Sequence, residues 1–188
     1  MIAEAGWDIG APQPLVVELE QAGQISGEVL DAGCGTGENA LYLAERGYVV
    51  AGVDAAPAGI AHARTKADQR GVQVDFAVAD ALELDGYQER FDTVLDSGLF
   101  HVFDDEERPR YVAAVHRACR PGGRVHVLAF SDAEPGDWGP RRVTEPEIRD
   151  AFAGDWTLET LERTTMTGSF PEEGRREAQA WLVTVRRR

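Results

Sequence analysis

Three glycines at alternate positions separate two carboxylates in Asp31-Ala32-Gly33-Cys34-Gly35-Thr36-Gly37-Glu38. Gly33, Gly35 and Gly37 let the main chain take positive φ and let a ligand lie directly on it. Further on, Asp54, Asp80 and Asp96 each follow an apolar run, where a carboxylate can accept hydrogen bonds from hydroxyl or amine groups. His101 stands just past one of these runs, and a neutral imidazole there is a candidate general base for an acceptor hydroxyl. The dinucleotide fingerprint requires G-x-G-x-x-G/A. Aligned on Gly33 and Gly35, its third position falls on Glu38. A carboxylate in the first helical turn repels a pyrophosphate at the helix N-terminus. No Gly-Lys-Ser/Thr follows the turn, so a P-loop is excluded as well. The turn therefore suits a ligand whose nearby part is cationic.

These residues need a sheet to carry them. Val29 and Leu30 end a short apolar strand, and Ala40, Leu41, Leu43 and Ala44 fall at helical spacing after the turn. Residues 48–53 form a continuously apolar strand ending at Asp54, as expected where both faces of a parallel sheet are covered. An acidic residue at the end of that second strand is placed to hold ribose hydroxyls. A helix follows from Pro57 to about Arg70, then a third strand over 72–79 and a fourth over 91–95. Asp96, Ser97, Phe100 and His101 leave the carboxyl end of the fourth strand, the side on which open α/β sheets bind ligands. Asp104 and Glu107 have capping-box spacing before a helix over 108–119. Arg120-Pro121-Gly122-Gly123 reads as a turn into a fifth strand, 124–130.

A long polar loop follows, carrying Trp138, a flat face for an aromatic acceptor or a hydrophobic plug. Arg141 or Arg142 is available to an acidic acceptor, or to Asp132 or Asp137. Thr144 and Glu147 form a second capping box for a helix to Ala153. Strands over 156–163 and 179–185 flank a hairpin loop, 168–174. At the other end, an irregular arm with two prolines opens a helix over 15–22. The arm either packs on the core or forms a flap with Trp7 and Gln13 facing the ligand.

The chain of 188 residues, 43% hydrophobic and 28% charged, fits one domain: an arm and helix (1–26), a ligand-binding core (27–131) and an acceptor-side loop, helix and hairpin (132–188). A net charge of −14 argues against nucleic acid and anionic membrane, both of which require a positive footprint. No run approaches the ~20 apolar residues of a membrane span. Cys34 and Cys119 are expected to be reduced thiols, and the expected compartment is the cytoplasm.

The D-A-G-C-G-T-G turn resembles motif I of the class I S-adenosylmethionine-dependent methyltransferases. The resemblance extends from Trp7 to Val185 and includes the R-P-G-G turn before the fifth strand. It implies a Rossmann-like, doubly wound, seven-stranded mixed α/β sheet with helices on both faces and the last strand antiparallel beside the fifth. It also implies S-adenosyl-L-methionine as cofactor and S-adenosyl-L-homocysteine as product. On this reading the cofactor is held by Asp31, Gly33, Cys34, Gly35, Gly37, Asp54, Ala55, Asp80, Ala81, Asp96 and Ser97, with Asp80 on the adenine amine and the next backbone amide on a ring nitrogen. The W-D-x-G-x-P-Q-P and D-S-G-L-F-H-V-F segments resemble bacterial, notably actinobacterial, enzymes that methylate hydroxyl, N-oxide or thiol groups of small planar heterocycles, with thiopurine enzymes more distant. The implied acceptor pocket comprises Trp7, Gln13, Phe100, His101 and Trp138. A detoxifying or secondary-metabolic role, metal-independent catalysis and a monomer or weak homodimer are expected. A cofactor-binding protein without catalysis is the alternative, and a nicotinamide-dependent oxidoreductase, opposed by Glu38, is a further one.

Overall fold

The computed structural model describes residues 8–170 and 174–188. The elements in chain order are α1 (Pro14–Gln21), β1 (Glu28–Ala32), α2 (Glu38–Glu45), β2 (Val49–Asp54), α3 (Pro57–Arg70), β3 (Asp75–Val78), β4 (Phe91–Ser97), a 3₁₀ turn (Phe100–Val102), α4 (Glu107–Ala118), β5 (Cys119–Phe130), α5 (Glu145–Ala151), β6 (Trp156–Phe170) and β7 (Gly174–Arg187). The strands form one seven-stranded sheet in the order β3-β2-β1-β4-β5-β7-β6. The first five are parallel; β7 is antiparallel to both β5 and β6.

Alternation along the central strands decides which helices cover which face. Leu30 and Val94 point into a core shared with Tyr111, Val115, Ile148 and Phe152 of the α4–α5 side. Val29 and Leu95 point the other way, into a core with Val16, Leu19, Leu41, Leu43 and Ile60 of α1, α2 and α3. The order reverses between β1 and β4, which opens a crevice at the carboxyl ends of these strands. No helix among the described residues is long and apolar enough to cross a membrane.

Three boundaries differ from the sequence reading by more than two residues. Arg120–Gly123 is not a free turn: Cys119 already pairs with Phe91, and these residues bulge out before Arg124 pairs with Thr93. The third strand shrinks to Asp75–Val78, because Val72 and Val74 pack on the core without joining the ladder. The predicted hairpin loop largely becomes strand, with pairing continued to Phe170 and Gly174. Thr164, Thr165 and Thr167 favour this extension, since β-branched residues fit a pleated surface.

Candidate cofactor-binding site

The glycine turn is fixed by β2. The backbone N–H groups of Gly33 and Cys34 donate to the Val53 carbonyl at 2.8 and 2.9 Å. The Asp54 carboxylate accepts from Gly35 N at 2.8 Å on one oxygen and from Ala56 N at 2.8 Å on the other. Gly37 caps α2 with φ of 87°, and a Cβ there would lie 2.6 Å from the Phe76 ring and 2.9 Å from Ala63. At Gly35, φ is 55° and a Cβ would meet nothing within 4 Å. The open side of Gly35 belongs to a cavity of about 230 Å³ between the turn, the arm and the end of β4. Its walls include Asp8, Ile9 and Gln13 of the arm, Gly33–Thr36, Asp54, and Ser97–Leu99.

Charge around this cavity is organised as a chain. Thr36 Oγ1 donates to Asp8 at 2.6 Å and accepts from Lys66 Nζ at 2.7 Å. Lys66 also reaches Glu38 at 2.6 Å, and Arg70 reaches it at 2.7 Å. Burial pushes the Glu38 carboxyl up, but Lys66 and Arg70 outweigh this and hold it below its ordinary range. Two cations therefore offset the repulsion by which Glu38 was expected to exclude a pyrophosphate. Asp31 lies beneath the turn, 1% exposed, with one carboxylate oxygen buried and without a hydrogen-bond partner. Burial raises its carboxyl to about 7, opposed by the Ala40 N–H and reinforced by Asp96 and Asp54.

The remaining residues singled out in the sequence separate into distinct groups. Asp54 and Ser97 line the cavity. Ala55 and Asp80 are exposed at the same strand-end edge, where Ala79 N donates to the Asp54 carbonyl at 3.1 Å. Asp80 accepts from Leu82 N at 2.8 Å, closing a local turn, and Ala81 packs on the core. Cys34 is partly buried, and burial pushes its thiol far above the ordinary range. Asp96 does not line the cavity: one oxygen accepts from Leu99 N and Phe100 N at 2.8 and 3.1 Å, the other from the Tyr111 hydroxyl at 2.7 Å. Phe100 is core rather than pocket wall, stacked on Phe152 with centroids 5.6 Å apart.

His101, the candidate base, is fully buried, and its Nδ1 accepts from Phe130 N at 2.8 Å. Burial lowers its pKa to about 4, the Gly98 backbone opposing and Arg142 assisting. A neutral ring that accepts at Nδ1 carries its proton on Nε2, so it has no basic lone pair left to offer. Gln13 lines the cavity, while its side-chain amide is engaged by β6. Its amide donates to the Thr167 carbonyl at 2.8 Å and accepts from Thr167 N at 3.1 Å. Trp138 sits edge-on to Phe130 at 5.1 Å, with Arg176 4.1 Å over its ring. Arg141 pairs with Asp105 and Glu147, and Arg142 donates to loop carbonyls of Glu134, Pro135, Trp138 and Pro140; neither pairs with Asp132 or Asp137, one of the two alternatives the sequence left open. Trp7 lies outside the described residues. The sequence reading missed Asp8, Thr36 and Leu99; the Asp8 side chain accepts from Gly10 N at 3.0 Å, a local turn that W-D-x-G encodes.

Residues 29–123 match the model of a methyltransferase domain. The chain belongs to the class I S-adenosylmethionine-dependent methyltransferases. The 2-heptyl-1-hydroxyquinolin-4(1H)-one methyltransferase of Mycobacteroides abscessus is 43% identical over 164 residues, covering 86% of this chain and 72% of that protein. A structure solved in work on conversion of a disulfide into a thioacetal during echinomycin biosynthesis aligns with a TM-score of 0.91 at 46% identity, covering 97% of this chain and 85% of that one. The 1,6-didemethyltoxoflavin-N1-methyltransferase of Burkholderia thailandensis, solved with its acceptor and S-adenosylhomocysteine, aligns at 0.71 with 28% identity over 93% and 76% of the two chains.

The methyltransferase cofactor fits what the cavity offers. Its cationic end matches the carboxylate of Asp8 in the wall and the buried Asp31 below it. Its body can lie on the open side of Gly35, where no side chain intervenes.

Proposed function

We propose that this methyltransferase acts on a hydroxyl, N-oxide or thiol group of a small planar aromatic or heterocyclic molecule, such as a hydroxyquinolone, in detoxification or secondary metabolism. The observation that carries this reading is the 43% identity, over 86% of the chain, to an enzyme whose acceptor is a hydroxyquinolone. Asp54 holds the ribose hydroxyls, Asp80 and the Ala81 N–H the adenine, and the Gly33–Gly37 turn the remainder of the cofactor. When bound, S-adenosylmethionine supplies an electrophilic methyl carbon on a sulfonium. The protein aligns the acceptor with it, which accounts for ~7–11 kcal/mol of the barrier.

A second cavity, of about 390 Å³, lies beside the 3₁₀ turn that follows β4, between His101, Val102, Phe103 and Asp104 on one side and Pro140 and Arg141 on the other. It is the place assigned to the acceptor. An N-hydroxy heterocycle is acidic enough to arrive ionised, so His101 shapes the wall and takes no proton.

Incubation with S-adenosylmethionine and a 2-alkyl-1-hydroxyquinolin-4-one, followed by mass spectrometry, should give the monomethylated acceptor and S-adenosylhomocysteine in equal amounts. Absence of product from protein that binds S-adenosylhomocysteine would refute the acceptor class and leave the cofactor assignment intact.

A further inference from the structure

The segment leaving β4 forms one wall of the cofactor cavity through Ser97, Gly98 and Leu99. It is docked closely on the glycine turn: a Cβ on Gly33 would lie 3.0 Å from the Leu99 Cβ. Small displacements of this segment therefore change the shape of the cavity. Its far end is held by the carboxylate of Asp96, which accepts from both Leu99 N and Phe100 N. A carboxylate only 1% exposed keeps its charge only while donors surround it. Burial already raises Asp96 to about 6, against the pull of the Tyr111 hydroxyl and the two backbone donors.

Tyr111 comes from α4, on the face of the sheet covered by α4 and α5, and is itself 1% exposed. Its ring packs on Phe103 with centroids 4.7 Å apart, and its hydroxyl meets Asp96 at 2.7 Å. Neither Tyr111 nor Asp96 lines the cofactor cavity. We propose that Tyr111 is a positioning residue for cofactor binding: through Asp96 it fixes the Ser97–Phe100 segment against the glycine turn. The inference rests on the reading of this cavity as the cofactor site. Without the hydroxyl, Asp96 loses a donor to its charged form, and an uncharged carboxyl accepts more weakly from Leu99 and Phe100.

Tyr111→Phe isolates this effect, because it leaves the ring packing in place and removes only the hydroxyl. Calorimetric titration with S-adenosylhomocysteine should show Kd raised roughly tenfold, or about 1.4 kcal/mol. With acceptor saturating, KM for the methyl donor should rise in step while kcat stays within about twofold, as expected when binding is lost equally from the ground state and the transition state. Thermal unfolding of the ligand-free variant confirms that it is folded at the temperature of titration. A folded variant with wild-type Kd would overturn the proposal, even with a lowered melting temperature, since the hydroxyl would then serve the core alone. A loss of kcat with KM unchanged would overturn it too. Failure of the wild-type protein to bind would instead overturn the assignment of the cavity, and the positioning role with it.

Discussion

Replacing Gln13 should release the arm from the cofactor cavity. A glutamine side chain carries the same donor and acceptor as a peptide group, and here it extends the edge of the sheet by one unit. It takes both the N–H and the carbonyl of Thr167 on the edge strand β6, in a site where Gln13 is 4% exposed. Gln13 N donates to Asn39 Oδ1 at 2.9 Å, and its carbonyl accepts from Val16 N at 2.9 Å to start α1. Gln13→Ala keeps these backbone bonds and removes both side-chain bonds. Each removed bond is worth about 0.5–1.5 kcal/mol net, and each orphaned Thr167 group costs about 1–3 kcal/mol unless water reaches it. Water reaches them when the arm lifts, so the free energy of that local opening should fall by about 2–3 kcal/mol. At about 1.4 kcal/mol per decade, amide exchange in a peptide spanning 9–20 should accelerate roughly 30–100-fold. S-adenosylhomocysteine should also dissociate faster, because Ile9, Ala11 and Gln13 all line the cavity. Gln13→Glu should be at least as damaging, since a carboxylate cannot donate to the Thr167 carbonyl. Hydrogen exchange measured by mass spectrometry decides the matter. Wild-type exchange rates in both variants would refute the reasoning and assign the arm's attachment to Asp8–Thr36 and to Arg175, which donates to the Ile9 carbonyl at 2.8 Å.

Asp54→Ala should weaken S-adenosylhomocysteine binding roughly 10–100-fold, because a hydrogen bond to a charged group is worth ~1.5–3 kcal/mol. It should also loosen the turn, since Gly35 N and Ala56 N lose their acceptor; unchanged affinity by calorimetry would show that Asp54 only braces the backbone. Asp31→Asn should raise the thermal midpoint of the ligand-free protein relative to wild type by an amount that grows as pH rises from about 4 to 8. Burial holds Asp31 at about 7 and Asp96 at about 6, above the usual carboxylate pKa of about 3.9. The folded state thus binds the extra protons, and their contribution is lost as pH rises through those values. Burial holds His101 and His126 at about 4, below the usual ~6.5, so their contribution is lost as pH falls from about 7 toward 4 and opposes the carboxylates over the same range, which the comparison with the variant cancels. A midpoint difference between variant and wild type that stays constant from about pH 4 to 8 would refute a protonated Asp31.

What the sequence revealed divides by the range of the interaction. The helix α3 runs from Pro57 to Arg70 as expected, because proline at its start and Gly71 with φ of 66° at its end are local signals. The Thr144–Glu147 capping box is likewise formed as read. The glycine turn was legible for the same reason: its conformation is written in consecutive residues. Asp54 and Asp96, by contrast, look alike in sequence, each a carboxylate at the end of an apolar strand. They differ because Tyr111 reaches Asp96 from a helix on the other side of a loop, and apolar periodicity alone does not say which side chains meet there. The β6 contact of Gln13 was not legible for a stronger form of this reason, since its partner Thr167 lies 154 residues away. His101 depended on a single N–H from β5, which fixes its tautomer.

The carboxylates at the strand ends therefore act in two layers. Asp8 and Asp54 stand in the cavity wall and can touch a ligand. Asp31 and Asp96 lie below, 1% exposed, where an electrostatic field decays less than in water. The cost of burying them is met differently. Asp96 is satisfied by three protein donors and fixes a wall segment. Asp31 keeps one oxygen unpartnered and is raised to about 7. A cation entering above it favours its ionised form, so the lower layer contributes most to binding when the ligand is present. Such an arrangement selects for positive charge without exposing a carboxylate to competing cations from solvent. On the proposed reading it explains how a turn with four lining or supporting acids remains compact before the cofactor arrives: part of that negative charge is not yet there.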